Sequence, residues 1–84
     1  MTSEKEITLD RLETGKKGTV CKIDIIGPAR KRIAEMGLSK GTEVEMVRKA
    51  PMNDPIEFKV RGYFISLRKT ESSLIFVRLP EESA

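Results

Sequence analysis

The chain has no histidine and no tryptophan, one cysteine, one tyrosine and three phenylalanines among its 84 residues. Each shortage excludes something. Without histidine the usual general base, the usual switch near neutral pH and the commonest metal ligand are all missing. A lone Cys21 rules out an intramolecular disulfide and any cysteine cluster, which fits a reducing cytosol. No run approaches the roughly 18 apolar residues of a membrane-spanning helix, and the opening segment Met1–Asp10 lacks the apolar core of a signal peptide. A cytoplasmic protein with no direct membrane span is expected.

What is present is charge. Charged residues make up 35% of the chain, with a formal net charge of +3. Eighty-four residues make one small domain, able to bury only about 60–65% of its unfolded surface. Residues 1–6 and 80–84 are polar and read as flexible tails around a domain spanning 7–79.

The pattern between them is that of short strands broken by Gly and Pro. Thr8–Leu12 reads as a single turn capped by Thr8 with Leu9 and Leu12 inward, and Gly15 and Gly18 as a turn around a lysine pair. Alternation gives a first strand at Thr19–Ile25, with Cys21, Ile23 and Ile25 on one face; a bulge near Gly18 would bring Val20 inward too. Pro28 suits the first turn of a helix. Ala29, Ile33 and Met36 share one side of it, and Gly37 is its left-handed terminator. A second strand, Thr42–Ala50, has apolar residues on both faces and so must bend or be covered twice. If Arg61-Gly62 is a two-residue hairpin turn, Val60 faces Tyr63, Phe58 faces Ile65 and Ile56 faces Leu67, all on one side. A slip of one residue would destroy that match. Thr70–Ser73 reads as a turn, and Leu74–Leu79 as a last strand with Ile75, Val77 and Leu79 inward. The fold class is therefore all-β with one short α-helix: a small, SH3-like, five-stranded barrel, since closure removes exposed edges.

No nucleophile and base can be paired, and there is no phosphate loop or dinucleotide fingerprint, so the chain is not read as an enzyme. Scattered carboxylates and one thiolate offer no ligand cluster for a transition-metal ion, so no cofactor is assigned. Basicity without an aromatic-and-basic motif does not make a nucleic-acid binder. Function is sought on the surface. Arg30, Lys31 and Arg32 crowd the start of the helix, where positive charge opposes the helix dipole at about 0.3–1 kcal/mol each. They form a patch for an acidic protein surface, phosphates or anionic headgroups, or, more plainly, a solvated helix face. The loop Lys49–Pro55 places Met52 beside Pro51 near its tip, an apolar side chain able to enter a partner's pocket. The plainer account is an ordinary turn in which Asp54 bonds nearby backbone. By parity Phe64 and Phe76 lie opposite the core; they line a peptide groove or, as exposed apolar patches are rare on monomers, form a second covered cluster. Cys21 is most simply a small buried hydrophobe. Glu43, Glu45 and Glu57 read as outward, solubilising residues.

Three segments in order carry a family resemblance: Arg32-Ile33-Ala34-Glu35-Met36-Gly37-Leu38-Ser39-Lys40-Gly41, then Ala50-Pro51-Met52-Asn53-Asp54-Pro55, then Gly62-Tyr63 with Ile65-Ser66-Leu67-Arg68. Together they resemble the FeoA family (ferrous iron transport protein A) over about residues 7–79. Met52 stands where that family often has Leu, and Ser66 where Ala is usual. The resemblance implies a small cytosolic SH3-like protein, acting as a monomer, that serves ferrous iron uptake by binding a FeoB-type membrane transporter with a cytosolic GTPase domain and modulating its GTPase or transport activity. A related domain occurs in metal-dependent repressors, so the alternative is a small metal-responsive module binding transition-metal ions; this chain lacks the helix-turn-helix such a repressor needs. A nonspecific polyanion binder is a third, weaker class.

Overall fold

The computed structural model describes residues 5–80; the expected tails, 1–6 and 80–84, lie outside them except for Lys5, Glu6 and Pro80, and Glu6 belongs to a strand. Six strands form one antiparallel sheet: β1 (Glu6–Thr8), β2 (Lys17–Ile23), β3 (Glu43–Lys49), β4 (Ile56–Val60), β5 (Tyr63–Leu67) and β6 (Ile75–Arg78). A 3₁₀ turn, Leu9–Arg11, follows β1; helix α1 (Pro28–Glu35) links β2 to β3, and α2 (Lys69–Ser72) links β5 to β6. The sheet order is β1-β6-β2-β3-β4-β5. The mainly β architecture with a short helix between β2 and β3 is as expected; α2 is a single helical turn where a turn was read. The strand count is six rather than five, because Glu6–Thr8 pairs with Phe76–Arg78. Only Ile7 is apolar in that added strand, so its own sequence carries almost no alternation; β6 supplies the template.

The β4–β5 hairpin has the expected register, with Val60 opposite Tyr63, Phe58 opposite Ile65 and Ile56 opposite Leu67. Arg61 and Gly62 have φ of 51° and 88°, the two left-handed residues of a type I′ turn whose twist matches the strands it joins. Five of the six inward residues are buried; Tyr63, at the end of the sheet, keeps 46% exposure.

Two bulges settle what alternation left open. In β2 the register with β6 shifts between Val20 and Lys22, so the extra residue is Cys21, later than the expected position at Gly18. Val20 thereby faces the core, and Ile25 re-enters it beyond the strand. Gly18 lies within β2 rather than in a turn, and a Cβ there would meet Val77 at 2.9 Å; only glycine lets β2 and β6 approach this closely. In β3 the shift between Met46 and Arg48 leaves Val47 as the extra residue. The strand bends there, which is how Val44 and Met46 face the core while Val47 is half-buried.

Helix α1 starts at Pro28 and ends on Gly37, whose φ is 95°. Leu38 N–H donates to Ile33 O at 3.2 Å and Gly37 N–H to Ala34 O at 3.0 Å, the paired bonds that close a helix through a left-handed glycine. Ile33 and Leu38 are both fully buried at this closure. They join Leu9, Leu12, Phe58, Ile75, Val77 and their neighbours in one core cluster, against which Ala29, Met36 and Leu79 pack from the edge.

Candidate functional site

The basic start of α1 has no acidic residue in its first turn to offset the helix dipole. Two of its three cations find other partners. Arg30 Nη1 reaches back to the carbonyl of Ile23 at 3.1 Å, and Arg32 pairs with Glu71 of α2. Lys31 is exposed and has no partner among the described residues. The dipole's penalty falls on Arg30, where the bond to Ile23 O offsets it, and on Lys31; Arg32, expected at the helix start, lies in the last turn of this eight-residue helix, where positive charge suits the dipole.

The loop 50–55 is built rather than loose. Ala50 N–H donates to Pro55 O at 3.0 Å, and Asn53 N–H to Ala50 O at 2.7 Å. Asp54 does not bond the nearby backbone that its sequence suggests. Its Oδ1 accepts from the backbone N–H of Lys69 at 2.9 Å and lies 3.9 Å from Arg68 Nη1, so it fixes the loop to the start of α2. At the tip Pro51 is exposed and Met52 is 84% exposed. Lys49, Pro51 and Pro55 line an open depression of about 460 Å³ that runs on to Glu57 and Ser66. The structure therefore ties two candidate segments, the helix start and the loop, to one short helix: Glu71 holds Arg32 while the backbone of Lys69 holds Asp54.

Phe64 stands apart from both. The expected covered cluster does not form around it: Phe64 is 58% exposed, with Lys59 Nζ 5.9 Å from its ring centre. Phe76 is half-buried, flanked across the sheet by Thr8 and Lys22, and carries Lys22 Nζ over its ring at 5.3 Å. The parity of both residues was legible; their cover was not, because among the described residues no element is laid over the outer face of β5, and Phe76 of β6 is only half-buried.

Sequence reasoning passed over a polar row on that same outer face. Lys17 pairs with Glu45, Glu45 with Lys59 and Lys59 with Phe64 across four neighbouring strands. Lys17, Glu43, Glu45 and Lys59 border an open depression of about 410 Å³. Strand register is the signal that aligns them, and only the β4–β5 part of it could be read in advance. Glu57 likewise holds Arg48 at 2.8 Å rather than standing free.

Cys21 is half-buried, not a core residue. Its thiol donates to Glu6 Oε2 at 3.1 Å. Burial pushes its pKa up, the hydrogen bond and charge of Glu6 add to the rise, and the charge of Arg78 opposes it. A thiol held protonated in this way is a poor nucleophile and a poor metal ligand. Among the described residues no three of Cys, Asp and Glu come together as a metal-holding group, and no helix is long and apolar enough to cross a membrane.

A twisted antiparallel sheet around one core, with short helices at its connections and its distinctive residues on loops and edges, defines a small SH3-like module. The chain belongs to the FeoA domain family, whose model matches residues 7–79. It is 34% identical over 76 residues to a Fe(2+) transport protein A/Fe(2+) transporter FeoB fusion protein of Porphyromonas gingivalis, a match covering 90% of this chain and 9% of that protein. The chain thus spans about a tenth of this curated relative. The solution structure of a FeoA-like protein from Clostridium acetobutylicum is 40% identical and superposes with a TM-score of 0.83, covering 100% of this chain and 95% of the other. Stenotrophomonas maltophilia FeoA, a prokaryotic SH3 domain protein crystallised with zinc, is 28% identical with a TM-score of 0.74, over 84% of this chain and 88% of that one. Membership of this family associates the chain with ferrous iron transport.

Proposed function

We propose that this protein is a cytoplasmic, non-enzymatic accessory factor of ferrous iron uptake that binds a FeoB-type transporter and modulates its GTPase or transport activity. One observation carries the reading: a relative of this domain is joined in a single chain to the transporter FeoB. Covalent joining raises the effective concentration of two modules that work in contact, and a domain of the same family supplies such a contact through its own surface. Exposed Lys31 and Met52, on segments anchored through Arg32 and Asp54, support such a surface. A bound protein shifts a GTPase or transport equilibrium only by its differential affinity for the two states. The protein acts as a monomer in this reading and needs neither nucleic acid nor a resident metal.

The test uses the full chain and the cytosolic GTPase domain of a FeoB-type transporter from the same source. Calorimetry should show saturable binding, and the GTP hydrolysis rate should change on saturation. Absence of both binding and any rate change removes the reading.

A further inference from the structure

The hairpin geometry determines which backbone groups of β5 point away from the sheet. Val60 and Tyr63 close the two-residue turn and exchange hydrogen bonds across it, as the pair flanking a type I′ turn does. Antiparallel pairs alternate between bonded and non-bonded, so Phe58–Ile65 and Ile56–Leu67 are bonded as well. The N–H and C=O groups of Phe64 and Ser66 therefore point outward. On that side β5 has no strand neighbour, and neither residue's backbone meets a partner elsewhere among the described residues. Phe64 also places an exposed ring on the outer face beside this edge.

Exposed edges of this kind are usually blunted by charge, and the distribution of charge here selects the occupant. Arg61 precedes the strand, Arg68 and Lys69 follow it, and Lys59 lies opposite Phe64; all four are exposed. Of the acids nearby, Glu57 is engaged by Arg48 and Asp54 by Lys69 N–H with Arg68, while Glu45 of β3, across from Lys59, stands between two lysines, Lys17 and Lys59. A second copy docked antiparallel so that Phe64 bonds Ser66 of its mate would bring Arg61 against the mate's Lys69, setting cation against cation. Arg61 also bonds Thr42 and Arg68 lies beside Asp54, so the attraction for an acidic strand comes chiefly from Lys59 and Lys69.

We propose that the open edge of β5 binds an extended acidic segment of a partner protein by strand addition, with main-chain bonds at Phe64 and Ser66 and an apolar side chain of the segment packed on the Phe64 ring. Main-chain bonds supply affinity in this mode, and alternate side chains supply selectivity. Lys59 supplies the charge discrimination. The proposal rests on the partner-binding reading above only for which protein carries the segment; its test contains no transporter, so the two can fail separately.

The probe is a capped peptide, Asp-Val-Glu-Ile-Glu-Val-Asp, titrated into the ¹⁵N-labelled chain, with a control peptide bearing lysine in place of every acid. The acidic peptide should give saturable amide shifts centred on Tyr63–Leu67 and slow the exchange of the Phe64 and Ser66 amides; the basic peptide should give neither. Ser66→Pro removes one outward N–H without touching the β4 ladder, a substitution edges tolerate, and should weaken binding roughly threefold to tenfold. Lys59→Glu, an exposed change independent of backbone geometry, should reverse the preference between the two peptides. Shifts centred elsewhere, equal binding of both peptides, or no saturable binding of the acidic peptide overturns the proposal. So does slowed exchange at Phe64 and Ser66 that grows with protein concentration in the absence of peptide, since a second copy would then hold the edge.

Discussion

Tyr63 of β5 donates its phenolic hydrogen to the carbonyl oxygen of Met36, 2.8 Å away at the end of α1. A residue on the sheet thereby satisfies a carbonyl that a helix terminus would leave to water. Gly37 sits directly beneath: a Cβ there would meet the Tyr63 hydroxyl at 2.9 Å, and φ at Gly37 is 95°. Tyr63→Phe should cost about 0.5–1.5 kcal/mol in urea unfolding. Gly37→Ala should cost more than about 1 kcal/mol, since its backbone conformation disfavours any Cβ. The two should couple. In the Tyr63→Phe background the alanine no longer meets the hydroxyl, and its cost should drop by roughly 0.5 kcal/mol or more. Strict additivity would show that crowding at this point is absent.

Phe58 has no exposed surface and lies at the centre of the β3-β4-β5 face, opposite Met46 and Ile65. Phe58→Ala should destabilise the fold by about 3–5 kcal/mol. A loss in the range of about 0.5 kcal/mol, typical of surface positions, would place the residue outside the core.

Cys21 gives a pH prediction with a definite sign. Its thiol is raised by burial first and by Glu6 second, so at pH 8 less thiolate is present than on an ordinary cysteine. Maleimide labelling of the native chain should be slower than labelling of the urea-unfolded chain, and Glu6→Gln should speed it without reaching the unfolded rate, because burial remains. The native state holds this proton more tightly than the unfolded chain. Its stabilising contribution is therefore complete below the ordinary thiol range and is lost as pH rises through the raised native value. Faster labelling of the native chain would contradict the assignment.

Lys31 and Met52 can be altered without disturbing the anchors of their segments. Lys31→Glu and Met52→Asp should each change stability by less than about 0.5 kcal/mol while weakening binding to the transporter's GTPase domain. For Lys31→Glu the loss should shrink as salt is raised, because exposed charges are screened. Arg32→Glu is a poorer probe: it sets two carboxylates together at Glu71, so any loss of binding would mix with a loss of stability. Full affinity in both the Lys31 and Met52 variants would move the contact elsewhere on the surface.

The β4–β5 hairpin was legible because a two-residue turn ties two alternations to one register. The end of α1 was legible because Gly37 and Leu38 form a local motif. Bulges were harder. Alternation showed that Val20 and Val47 did not fit a flat strand, but the residue that absorbs the irregularity is set by the partner strand's register. Strand β1 escaped notice because its pairing belongs to β6. The surface was the least legible part. Arg32 and Glu71 are 39 residues apart, and Asp54 and Lys69 are 15 apart; each looked free until the chain closed on itself. Phe64 had the right parity and the wrong cover, since a sequence shows which face a residue takes but not what is missing above it.

The fastening of Asp54 to the start of α2 bears on portability. The hairpin tip around Met52 owes part of its shape to a clasp contributed from beyond β5, so transplanting Lys49–Pro55 alone onto another scaffold would carry the letters of the epitope without its form. A faithful graft must run from Lys49 through Ser72 as a single piece.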